Sequence, residues 1–220
     1  LALHAVSLLG RDETGELDDS GRATLRLLLP VAKLTTGRMA VAGASEVVES
    51  FGGAGYVEDT GLPELLRDAQ VFSIWEGTTN VLALEAARAI RRADALDPFL
   101  ADLGAHLALA TAPALADAVR CARNAAEHAA RWWREGASLG PERFEAGQRR
   151  FALTLGRSMA LALLCAQAQW SLDHERDARS VTAARRFALN GVDALCAGCD
   201  QEPAHDVAAL AMDEPASHGD

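Results

Sequence analysis

A carboxylate set between an apolar run and a glycine is the feature of this sequence best suited to chemistry. Glu76 follows Val71-Phe72-Ser73-Ile74-Trp75 and precedes Gly77, with Thr78 or Thr79 able to cap the next helix. Beside Ile74 and Trp75 the carboxylate is expected to be partly desolvated, which makes it a stronger base. Gly77 lets another molecule approach the backbone closely. N–H groups at the start of the following helix can bind an oxygen or a phosphate. These are the parts that proton abstraction needs. The same residues also fit a plain helix N-terminal carboxylate favoured by the macrodipole. Taken alone, they leave both readings open.

Other groups invite the same two-sided reading. The turn Phe51-Gly52-Gly53-Ala54-Gly55-Tyr56 can cradle phosphates through its amides or simply end a helix. It follows no strand and is no dinucleotide fingerprint. Cys196 and Cys199, with His205 nearby, have the spacing of a metal half-site or redox pair; ordinary helical cysteines fit equally. Trp132-Trp133 can form a binding platform or pack into a core with one ring at its rim. His4, His106, His128 and His174 are scattered, and no two stand four apart to ligate a metal. They read as structural, and no metal site is assigned.

Helices must position these groups. Ala and Leu dominate, strand-favouring residues are scarce, and Arg supplies nearly all the positive charge, Lys33 being the one lysine. That mixture specifies an all-α protein. Residues 1–9 read as a helix stopped by Gly10, and residues 11–21 as a polar loop. Asp19 or Ser20 then caps a long helix to about Phe51, with Pro30 giving a kink or a late start. Pro63 opens a short helix, residues 79–92 carry an apolar helical face, and Asp97-Pro98, Pro113 and Pro141 each start another helix. A break is expected near residues 174–180. The expected organisation is residues 1–97 with the glycine turn and the Trp-Glu-Gly junction, residues 98–200 as an up-and-down helical extension, and residues 201–220 as an acidic, disordered tail.

The net charge is −10. No segment carries the basic excess that nucleic-acid binding requires. The four cysteines are too few for a disulfide scaffold and indicate a reducing, cytoplasmic setting. No apolar stretch in the sequence approaches the ~20 residues of a membrane span. Leu1 falls inside an apolar helical pattern with no cationic leader before it, so the chain is expected to be part of a longer protein.

In order and spacing, Glu49-Ser50-Phe51-Gly52-Gly53-Ala54-Gly55-Tyr56, Leu62-Pro63, Leu66-Arg67-Asp68-Ala69, Ile74-Trp75-Glu76-Gly77-Thr78-Thr79-Asn80 and Ala87-Arg88 resemble the C-terminal helical domain of acyl-CoA dehydrogenases. Trp75 in place of Tyr, Asn80 four residues after the base and the long helical extension look most like the AidB-like branch. The resemblance implies an FAD-dependent oxidoreductase that removes the α-proton of an acyl-CoA thioester through Glu76 while the β-hydrogen leaves as hydride to the flavin. It further implies that Trp75, Gly77 and Arg88 lie near the substrate. Thr78 and Asn80 would contact FAD of the same subunit, and Glu49, Gly52 and Gly53 the FAD of a neighbour in a homo-oligomer. It leaves the electron acceptor open. The family's N-terminal domain and flavin-covering β-domain are absent from these residues, so the isolated chain is expected to be inactive. A catalytically silent helical oligomerisation module is the competing reading, and a module centred on Cys196 and Cys199 a third.

Overall fold

The computed structural model describes residues 1–138, 140–195 and 212. Within them the chain is all-α, with no strand. Its helices are α1 (Ala2–Glu13), α2 (Asp19–Ser50), α3 (Gly53–Tyr56), α4 (Leu62–Val71), α5 (Thr79–Ala93), α6 (Leu96–Leu109), α7 (Ala116–Glu135), α8 (Pro141–His174) and α9 (Arg179–Leu189). Cys196, Cys199, His205 and nearly all of the acidic tail lie outside the described residues.

Two long helices organise the rest. Helix α2 buries Thr24, Leu27, Leu28, Val31, Leu34 and Thr35, the stripe a 3.6-residue period places on one face. Helix α8 buries Phe151, Ala152, Leu155, Met159, Ala162 and Cys165. The two cross where Gly156 meets Thr35 and Val31: a Cβ on Gly156 would stand 1.9 Å from Thr35 Oγ1. Helices α1, α4, α5 and α6 pack on α2, and α5, α6, α7 and α9 on α8. One continuous buried cluster runs through all of them except α4.

Several expectations shift. Gly10 does not stop α1, which runs on to Glu13; one helical glycine costs only ~1 kcal/mol, and Leu17, 3 % exposed just after the helix, anchors the return. The polar loop therefore shrinks, and Arg22 pairs with Asp12 across it at 2.7 Å. The cap of α2 is Asp18, whose Oδ1 accepts from the Gly21 amide at 2.7 Å, one residue before the expected cap. Pro30 sits inside α2 and neither starts nor ends it. Pro113 opens a single 3-10 turn ahead of α7.

Helix α8 is, by length and composition, apolar enough to cross a membrane, contrary to the reading of short apolar runs. Yet 61% of its apolar window is buried by its neighbours, the property of a core helix. Trp132 is packed inside, stacked between Phe144 (4.9 Å between ring centroids) and Phe151 (5.4 Å). Trp133 forms the rim of this cluster under the Arg91 guanidinium. The pair is therefore core with one rim ring.

Candidate active site

The turn bearing Glu76 joins α4 to α5. It is built on α2, where Gly37 leaves room for it: a Cβ there would come within 3.1 Å of the Phe72 carbonyl oxygen. Lys33, one turn of α2 earlier, fastens the turn. Its Nζ donates to the carbonyl oxygens of Trp75 (2.5 Å), Gly77 (3.2 Å) and Phe72 (3.4 Å). An ammonium with three rotatable donors suits three converging carbonyls better than a planar guanidinium. Sequence reading missed Lys33; its solitude in an arginine-rich chain was the available signal.

Within the turn, Ser73, Ile74 and Trp75 donate their amides back to Gln70 and Val71. The Glu76 amide has no acceptor among the described residues. Glu76 takes φ 52°, the left-handed region, which costs a residue with a side chain about 1 kcal/mol and recurs at functional sites. Gly77 follows at φ 107°, a value that glycine alone adopts freely. The strained pair thus carries an exposed Glu76 whose backbone N–H is unpaired among the described residues.

The expected desolvation is not supplied by the described residues. Glu76 is exposed, Ile74 is 62 % and Trp75 53 % exposed, and Phe72 is exposed beside them. Along the seven-residue connection from Phe72 to Thr78 these exposed side chains form an apolar rim that none of the described residues covers.

The other expected residues divide into three places. Arg88, on α5, pairs with Glu85 and lines an open groove between α2 and α5 with Arg26, Lys33 and Arg92. Lys33 thus borders both this groove and the Glu76 turn. Thr78 caps α5 without a side-chain bond to it, leaving its hydroxyl and the first amides of α5 available. Asn80 faces a pocket shared with Glu142, Gln148 and Arg149 of α8. Glu49, Gly52 and Gly53 stand at the far end of α2, roughly 24 Å from Lys33 at 1.5 Å per residue. There the Gly52 amide donates to the Glu49 carbonyl (2.9 Å), an ordinary helix ending, so it is not a free cradle donor. Glu76 and the glycine turn therefore cannot touch one small group within one chain.

The remaining expected groups resolve differently. His128 pairs with Asp193 at 2.6 Å, and His174 bonds the Trp170 carbonyl. His4 and His106, 102 residues apart in sequence, meet around Asp102. Burial pushes the Cys165 thiol up to about 11, with Cys121 adding to the shift.

The helical fold and the Glu76 turn define the class: the chain belongs to the acyl-CoA dehydrogenase family, as its C-terminal helical region. Residues 2–91 match the family model described as acyl-CoA dehydrogenase, C-terminal domain, and residues 94–213 the model described as acyl-CoA dehydrogenase 11 C-terminal domain-like. Within the family it is similar to acyl-CoA dehydrogenase family member 11 of Caenorhabditis elegans, 57% identical over 88 residues that make up 40% of this chain and 14% of the worm protein. It is 37% identical to Escherichia coli AidB over 67 residues, 30% of this chain and 12% of AidB. The crystal structure of C. elegans ACDH-11 in complex with C11-CoA superposes with a TM-score of 0.82 at 33% identity, covering 94% of this chain and 35% of that one. The matched region is a small part of each curated relative.

Proposed function

We propose that this chain supplies the α-proton-abstracting base, Glu76, of an FAD-dependent acyl-CoA dehydrogenation, in a site that further domains complete. The observation that carries the reading is the Glu76 turn itself. A strained, left-handed residue presents an unpaired N–H beside its own carboxylate, on an apolar rim left uncovered.

The chemistry follows from that geometry. The α-proton of a thioester is weakly acidic, and an N–H aimed at the thioester carbonyl stabilises the enolate-like charge that builds there as the proton leaves. The Glu76 amide is free for this role. Its carboxylate takes the α-proton and becomes a carboxylic acid, the electron pair left at Cα forms the Cα–Cβ double bond, and the β-hydrogen departs with its electrons. The acceptor for that hydride would be supplied by FAD if bound. Gly77 keeps the backbone bare beside the thioester, Trp75 walls the acyl chain, and Arg88 stands toward the substrate in the cationic groove. Covering Ile74 and Trp75 would close the Glu76 carboxylate off from bulk water.

The residues fit a flavin in part. The start of α5, where Thr78 makes no side-chain capping bond, offers Thr78, with Asn80 two residues further on, to the FAD of the same subunit. Glu49, Gly52 and Gly53, too far away to share it, serve the FAD of a neighbour in a homo-oligomer. Exposed Phe51 and Tyr56, on either side of the glycine turn, support such a contact. Residues 1–97 then form the catalytic-domain part and residues 98–200 the extension. The free thiols of Cys121 and Cys165 are consistent with a cytoplasmic protein.

The test separates this from a silent helical module. Residues 1–220 alone are expected to purify without stoichiometric flavin absorbance near ~450 nm, and to gain it when joined to the family's flavin-covering domains. Stoichiometric flavin on the isolated chain would refute the claim that the site is incomplete. A joined protein that folds but never binds flavin would favour the silent module.

A further inference from the structure

We propose that His4, Asp102 and His106 form a binding site for a zinc-like divalent metal that clips α1 to α6. The site lies outside the Glu76 turn and its reading does not depend on that of Glu76.

Asp102 and His106 are four apart on α6 and so share one face. His4 arrives from α1, and its Nε2 lies 2.7 Å from Asp102 Oδ2. On the other side, His106 Nε2 lies 3.7 Å from Asp102 Oδ1, too far for a hydrogen bond. That nitrogen is shielded from solvent and has no hydrogen-bond partner. One donor atom from each residue, two imidazole and one carboxylate, falls within 4.8 Å of the others. The rings stand edge to face, 4.8 Å between centroids, and each has an oxygen of Asp102 beside its Nε2.

A single cation accounts for this arrangement better than a hydrogen bond alone, because it gives His106 Nε2 its missing partner. Donors on a tetrahedral ion with bonds of about 2.0–2.2 Å lie ~3.4 Å apart, a spacing that the 4.8 Å limit on this cluster accommodates. Two imidazoles and a carboxylate suit zinc and its first-row neighbours, not calcium or magnesium, which prefer all-oxygen sites. Side-chain exposures of 12%, 25% and 23% leave a fourth position open to water. The clip also has a mechanical role: α1 is otherwise held chiefly against α2 through Ala5 and Leu8.

The experiment is a Zn²⁺ titration of the 220-residue chain, stripped of metal, in a Cys196→Ser/Cys199→Ser background that removes the other ligand pair. Calorimetry should give one equivalent, with a Zn²⁺-dependent rise in Tm. His106→Gln and His4→Gln should each weaken binding at least about tenfold, with far-UV circular dichroism unchanged in the metal-free state. His4→Gln, on a peripheral helix, remains informative if His106→Gln fails to fold. Substoichiometric uptake, or uptake that neither substitution weakens, would overturn the site.

Discussion

Replacing Lys33 with methionine keeps the aliphatic stem that packs along α2 and removes the ammonium that holds the Glu76 turn. Three carbonyl contacts are lost, at 2.5, 3.2 and 3.4 Å. A hydrogen bond from a charged donor contributes about 1.5–3 kcal/mol when buried. Here Phe72 and Trp75 are half-exposed, so water can replace part of what is lost. Only the two shorter contacts are counted, each at about 1 kcal/mol because solvent screens them, which leaves about 2 kcal/mol of local stability. That corresponds to roughly a 30-fold rise in the open fraction of the turn. Native-state hydrogen exchange reads it directly, through the Ile74 and Trp75 amides that bond to Val71 and the Leu82 amide that bonds to Thr78. These should exchange about 10- to 30-fold faster in Lys33→Met, while amides in the middle of α8 keep their protection. Unchanged exchange over residues 72–78, or equal acceleration throughout the bundle, would refute the view that Lys33 acts locally as the positioning residue of this turn.

Two further outcomes follow from the packing. Gly156→Ala should lower unfolding stability by about 2–3 kcal/mol, since the new methyl would stand 1.9 Å from Thr35 Oγ1 and 3.1 Å from Val31; urea unfolding showing a loss below ~0.5 kcal/mol would contradict the crossing described. Cys165, fully buried with its thiol pushed up to about 11, stays protonated until the pH nears that value. Its alkylation at pH 8 should be at least ~100-fold slower than that of an ordinary thiol and should rise about tenfold per pH unit up to pH 10; mass spectrometry showing rapid labelling of Cys165 in the folded chain would contradict this.

Local signals carried much of this structure. The apolar period of residues 82–90, the prolines at 63, 98 and 141 and the break after His174 all place helices where they occur, because each acts within a turn or two of chain. The misplacements are local too: Asp18, not Asp19 or Ser20, bonds the Gly21 amide, and Gly10 is too mild a breaker to end α1 against the pull of buried Leu8 and Leu17. The site was legible only as far as the Glu76 segment. Adjacency of Ile74 and Trp75 suggested a desolvated carboxylate, but neighbours in a turn need not cover one another, and here they face outward. Lys33 and the Phe72–Gly77 carbonyls lie about 40 residues apart, and His4 and Asp102 are separated by 98. Such pairings arise from helix packing, which no local pattern encodes.

The central claim is that Glu76 is the base. It is tested most directly by joining residues 1–220 to the flavin-covering domains of the family and mixing the oxidised, FAD-loaded protein with a saturated acyl-CoA. Loss of flavin absorbance follows the reductive half-reaction in a single turnover. Glu76→Gln keeps the size, the exposed turn and the free backbone N–H and removes only the ability to take the proton. Reduction should slow by at least about 10²-fold, with flavin content and acyl-CoA binding retained. Reduction at the wild-type rate in Glu76→Gln would contradict it.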